Sequence, residues 1–205
     1  MDNYACSVDI GFLLDASSSI SHGWGGNANW DLVKNFVIIT ASKLNISTNG
    51  AHFAVTTFSD SDKIRHPINF KDHTNLTSFI ADVDRNVIHT GGGTDTVAGL
   101  DAALNIMFSE TKGMRSNVQL VLFFMTDGQC QTPNCRADIQ RMKRNFLGRG
   151  IRIIGFGVTA SADATEIELL VDRKDYHSIS PFDPGLPRRI GICDGMLIIH
   201  IDDIK

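Results

Sequence analysis

The 205-residue sequence is poor in proline, tyrosine and tryptophan, has no long apolar run, and shows little bias of charge. Only 5 Pro beside a hydrophobic fraction of 42% exclude a collagen-like or disordered chain. No apolar run approaches the ~20 residues of a membrane helix. The longest near the centre, 120–125, has the length of a strand. A net charge of −4 argues against a broad phosphate-binding surface and so against a nucleic-acid partner. No signal-peptide pattern opens the chain, and nothing about compartment follows from that. The length suits one domain, large enough to bury an α/β core without crosslinks.

Cysteine is scarce but even in number: Cys6, Cys130, Cys135 and Cys193. Four cysteines allow three pairings. Their positions favour Cys6–Cys193, tying the two ends together, and Cys130–Cys135, bracing one short polar loop. Such bridges persist in oxidising compartments, which makes a secreted or extracellular protein the expectation. The alternative is four free thiols in a cytosolic protein. Cys130-x4-Cys135 lacks the second pair or His cluster of a zinc site. Two N-glycosylation sequons begin at Asn45 and Asn75, a number that chance also supplies.

What the chain has in quantity is alternation. Short, nearly continuous apolar runs predict strands over 8–14, 53–58, 118–125 and 151–158, of the kind buried on both faces of a parallel sheet. Segment 64–70 carries Pro67 and suits an edge strand. Helical spacing marks 30–44, 76–87, 97–108, 137–147 and 164–171. A short last strand is expected over 176–179, and 15–29 reads as a loop. Strands alternating with helices predict a doubly wound, three-layer α/β/α fold, Rossmann-like, with a mostly parallel sheet and one antiparallel edge strand. The ligand site of such a sheet lies beyond the carboxyl ends of its strands.

Three loops there carry matched oxygens: Asp15-Ala16-Ser17-Ser18-Ser19, Gly92-Gly93-Thr94-Asp95-Thr96 and Thr126-Asp127-Gly128. Carboxylate and hydroxyl oxygens are what a hard divalent cation prefers. Two carboxylates nearly neutralise the ion, so one more anionic oxygen can still join it from outside. That charge balance points to recognition and not to a sealed structural site.

These segments resemble the metal-ion-dependent adhesion site of von Willebrand factor A domains and integrin inserted domains. Residues 30–37 resemble the family's first helix, 53–58 its second strand, and 91–96 the loop carrying its threonine. The resemblance covers roughly 6–193, leaving 194–205 as a tail or the start of a linker to another module, with 196–201 reading as an extra strand. It implies that Ser17 and Ser19 bind the ion directly. Thr94 would bind directly in a high-affinity state and through water otherwise. Asp15 and Asp127 would lie in contact or one water away. The ion would be Mg²⁺ or Mn²⁺, with Ca²⁺ a third option, and its open position would take a Glu or Asp from a partner. The family couples such a change to movement of its last helix, for which this chain leaves only 186–192.

Other signals have plainer readings. The 7 His are scattered, and no nucleophile–base pair emerges, so an enzyme is not expected. Asp60 and Asp62 read as a solvated turn in preference to a calcium site. The basic stretch with Arg136, Arg141, Lys143, Arg144 and Arg149 reads as a solvated helix face; a glycosaminoglycan partner is its sharper reading. Trp24 stands near the metal loop. The resulting expectation is an extracellular adhesion or matrix module, the ectodomain of a larger protein included, that binds collagen or another matrix protein through a divalent cation. The alternative is a structural component of an assembled fibrous, byssal or shell matrix.

Overall fold

A computed structural model describes residues 6–21, 27–127, 130–158, 162–178, 189–192 and 197–200. Strand β1 (Val8–Asp15) is buried at every position. Its run VDIGFLLD can be apolar on both faces because helices cover both. It pairs in parallel with β2 (Ala51–Phe58) on one side and β4 (Gln119–Thr126) on the other. Strand β5 (Ile151–Gly157) follows in parallel beside β4, and β6 (Tyr176–Ser178) beside β5. Strand β3 (Arg65–Ile68) lies antiparallel to β2 at the far edge, where Pro67 costs no central ladder bond. The sheet order is β3-β2-β1-β4-β5-β6.

Helices α2 (Asn27–Ser42) and α3 (Leu76–Asn86) close one face. Phe12, Phe36, Phe53, Phe123 and Phe156 form its aromatic centre, with Phe36 and Phe156 rings 4.5 Å apart. Helices α4 (Thr96–Ala102), α5 (Cys135–Gly148) and α6 (Ala164–Leu170) close the other, over Leu13, Phe58, Leu122, Phe124 and Ile153. Gly99 lets α4 lie on the Phe58 ring, where an added Cβ would come within 2.6 Å of Cγ.

Some expectations need correction. The predicted loop over 15–29 contains a single helical turn, α1 (Ser18–Ser21), and α2 begins at Asn27. The expected helix over 97–108 changes winding: Ala103–Met107 forms a π turn, and the guanidinium of Arg149 caps the Leu104 and Phe108 carbonyls. Where room for a last helix was expected, Arg189–Ile192 is a strand, β7, paired antiparallel with β8 (Leu197–His200). The two β-branched isoleucines of RIGI favour that state. Residue Ile192 is fully buried in the main core.

At the amino ends of the parallel strands Asp9 is wholly buried, and Arg115 satisfies it. The Arg115 amide, Nε and Nη2 all donate to its carboxylate, at 2.6–2.9 Å. Nη2 also reaches the Val8 and Gly50 carbonyls. This clamp joins β1, β2 and the approach to β4 at the end remote from the predicted metal loops.

Candidate metal centre

Strands β1 and β4 run side by side in register, so Asp15 and Thr126 emerge together at their carboxyl ends. The Thr126 hydroxyl donates to Asp15 Oδ2 at 2.7 Å, and the Ser17 amide donates to Asp15 Oδ1 at 2.8 Å. That pair of bonds curls the loop back, so that the Ser17 and Ser19 hydroxyls face each other at 3.0 Å. The Asp127 carboxylate lies close enough that the Ser19 hydroxyl favours its charged form and its own charge raises Asp15. Asp15, Ser17, Ser19 and Asp127 are therefore one cluster.

Thr94 reaches the same loop through a backbone zip. The Gly91 amide donates to the Ala16 carbonyl (2.9 Å), the Ser18 amide to the Gly92 carbonyl (3.0 Å), and the Gly92 amide to Ser18 Oγ (2.8 Å). Gly91 and Gly92 take positive φ, 64° and 104°, which glycine adopts without strain. Asp95 then caps α4 by accepting from the Ala98 amide, which turns the chain directly after Thr94. Thr94 itself is buried.

The electrostatics are those of a site built for positive charge. Burial, and then the neighbouring Asp127 charge, push the Asp15 carboxyl from its ordinary 3.8 up to about 7, against the bonds from Ser17 and Thr126. Burial likewise raises Asp127, with the Ser19 hydroxyl opposing. Asp127 Oδ1 is buried and has no hydrogen-bond partner. A carboxylate oxygen in that condition costs free energy unless something cationic faces it. Hydroxyls and carboxylates without a thiol or imidazole among them suit Mg²⁺, Mn²⁺ or Ca²⁺ by donor type.

Several residues that position this cluster were given a plainer reading or passed over in the sequence. Asp60 is no free turn residue: Oδ1 accepts from the Gly93 amide at 2.8 Å and Oδ2 pairs with Lys63 at 2.9 Å. His89 Nε2 lies 2.9 Å from the Ser17 carbonyl, and its ring packs edge-on to Trp30. The Gln131 amide donates to the Thr94 carbonyl at 3.1 Å, and the Asp163 amide to the Asp127 carbonyl at 2.9 Å. No local motif announces these contacts, since each joins segments distant in sequence.

Cys130 and Cys135 are bonded, with Cα atoms 6.4 Å apart. Cys6 is also disulfide-bonded; its expected partner Cys193 lies outside the described residues, as do Trp24 and Gly128. Asn45 and Asn75 are exposed, and the Asn75 side chain caps α3 by accepting from the Ser78 amide at 2.9 Å. On the basic helix, Arg141 pairs with Asp138 and Lys143 with Asp172, both at 3.0 Å. With Arg149 capping carbonyls, much of that charge is used within the molecule.

The family model of the von Willebrand factor type A domain matches residues 9–183. The chain belongs to that family. Among relatives, it is 26% identical over 168 residues to the collagen alpha-1(XII) chain of Notophthalmus viridescens, covering 82% of this chain and 17% of that one. It is 30% identical over 152 residues to human cochlin (Homo sapiens), covering 74% of this chain and 25% of cochlin. The chain thus spans a quarter or less of these two relatives. Among solved structures, proximal thread matrix protein 1 from the mussel byssus superposes with a TM-score of 0.75 at 22% identity, over 84% of this chain and 43% of that one. The manganese-loaded TRAP protein of Plasmodium vivax gives a TM-score of 0.64 at 18% identity, over 83% of this chain and 67% of that one. These superpositions establish the doubly wound A-domain fold, with its mostly parallel sheet and one antiparallel edge.

Proposed function

We propose that this A domain is a divalent-cation-dependent adhesion module of an extracellular matrix protein, and not an enzyme. Asp15, Ser17, Ser19, Thr94 and Asp127 would hold Mg²⁺ or Mn²⁺, with Ca²⁺ third. The observation that carries this reading is the orphaned, buried Asp127 Oδ1 beside two facing serine hydroxyls. Support comes from relatives that include collagens, and from solved neighbours described as manganese-loaded and as having a zinc-occupied adhesion motif.

The bound cation would supply Lewis acidity toward one carboxylate oxygen of a partner. The chain's own residues set up that contact. Asp15 has an acceptor bond on each oxygen and serves to aim the Ser17 loop. The Ser17 and Ser19 hydroxyls turn their lone pairs outward once their mutual bond is given up. Asp127 balances charge from behind. Thr94 stands on a loop held by six backbone or side-chain bonds, so its approach is a small rotation and not a refolding. The partner would be collagen or another matrix protein presenting a Glu or Asp.

The test is solid-phase binding to a matrix panel in Mg²⁺, Mn²⁺ and EDTA, with Asp15→Ala and Thr94→Ala. Selective binding lost in EDTA and in both variants, with circular dichroism unchanged, is expected. Binding indifferent to EDTA refutes the mechanism. Cation-driven self-association without a selective ligand would instead assign the structural role in an assembled matrix, which the byssal fold neighbour favours.

A further inference from the structure

The Cys130–Cys135 bridge stands against a carboxylate that the oxygen cluster does not use. The two Sγ atoms and a carboxylate oxygen of Glu166 all lie within 4.8 Å of one another. Three separate pieces of chain bring them there: the loop after β4, the first residue of α5 and the first turn of α6. Glu166 is held in place because the Cys130 amide lies 3.1 Å from both of its oxygens. Cys130 is only half-buried, so a small reductant can reach it.

Sulfur in a disulfide is a poor metal ligand; thiolate sulfur is a strong one. Cys135 opens a 14-residue helix, whose amino-terminal dipole favours the thiolate once the bridge is cut. We propose that cleavage of Cys130–Cys135 by a small thiol reductant turns this cluster into a second cation site, for a borderline-soft divalent ion of the Zn²⁺ class, with both thiolates and Glu166 as ligands and water in the fourth position.

The step balances. Two reductant thiols lose two electrons and two protons and form their own disulfide. The bridge takes both up and becomes two thiols, and those two protons leave when the cation binds. The geometry asks little. Zn–S bonds of about 2.3 Å and Zn–O bonds of about 2.1 Å in a tetrahedron set ligand atoms roughly 3.5–3.8 Å apart. The sulfurs separate and the carboxylate closes in by side-chain rotation, with the backbone of α5 and α6 in place. Donor softness distinguishes the two sites: thiolates select Zn²⁺-like ions, while the Ser/Thr/Asp cluster prefers hard ones.

The test uses the whole chain, reduced with a phosphine that is then removed without air, and Co²⁺ as the probe. One thiolate-bound Co²⁺ per chain, counted by its thiolate-to-cobalt charge-transfer band, is expected in the reduced protein and none in the oxidised one. Glu166→Gln should weaken that binding by at least the ~10-fold that even an outer ligand-orienting change costs a metal site. The double variant Cys130→Ser/Cys135→Ser should lack the band, which separates this cluster from the bridge at Cys6. Ser17→Ala/Ser19→Ala should keep it, so the proposal stands or falls apart from the adhesion reading. Far-ultraviolet circular dichroism before and after reduction checks that the fold survives. No band in the reduced chain, or an affinity unchanged in Glu166→Gln, overturns the site.

Discussion

The hydroxyl of Thr126 donates to Asp15 Oδ2 at 2.7 Å, across a chain separation of 111 residues. It is one of the bonds that favour the charged form of a carboxylate which burial otherwise holds up to about 7. Thr126→Val keeps the shape of the side chain and removes the bond. It should cost about 1–3 kcal/mol of metal-free stability at pH 8, where Asp15 is ionised, and much less at pH 5. Urea denaturation in EDTA at the two pH values measures this, and equal losses at both would dissociate the bond from the charge.

The same carboxylate predicts a pH dependence of opposite sign with and without metal. Its folded pKa, about 7, stands above its ordinary 3.8, so the folded chain binds the proton more tightly than the unfolded one. In EDTA, stability should therefore fall as pH rises from about 4 to about 7 and then level off. Protons compete with the cation for Asp15, so Mg²⁺ affinity should rise over that range. Thermal melts across pH with and without Mg²⁺ measure both trends. Asp15→Asn should flatten the EDTA trend.

Asp60 holds the Gly93 amide from outside the cluster. Asp60→Ala should leave the far-ultraviolet spectrum unchanged and weaken Mg²⁺ binding by about 10-fold, the usual effect of losing a group that orients a ligand. Isothermal titration of Mg²⁺ decides it; wild-type affinity would show that the Thr94 loop is held by its backbone zip alone.

At the other end of the sheet, Arg115→Met strands the buried Asp9 charge and should cost about 3–5 kcal/mol. Asp9→Leu combined with Arg115→Met should recover most of that loss. Chemical denaturation of the single and double variants gives the comparison. A double variant no better than the single would mean that Asp9 is needed for more than pairing.

Sequence periodicity placed the central strands well because a strand buried on both faces leaves an unambiguous apolar run, as 120–125 does. The three oxygen-bearing loops could be read because strand order fixes which ends of the strands bear the site. Misreadings occurred where a local pattern competes with a distant contact. Residues 97–108 have helical spacing throughout, yet Arg149, more than forty residues on, takes the Leu104 carbonyl that an unbroken α-helix would pair with the Phe108 amide, and that amide bonds Ala103 instead. Asp60 looks like any solvated turn acid until the Gly93 amide is folded onto it. Residues 186–192 were short of helix signals and contained Arg189–Ile192, whose strand pairing depends on a segment written later in the chain.

Strand β1 is made early but lies in the middle of the sheet, between a partner some forty residues later and another more than a hundred later. Non-local pairing of this kind slows folding. During synthesis Asp15 leaves the ribosome long before Thr126 and Asp127 exist, so these side chains cannot come together until more than a hundred further residues have been made. Assembly of the cluster is thereby deferred until four of the six strands of the sheet exist.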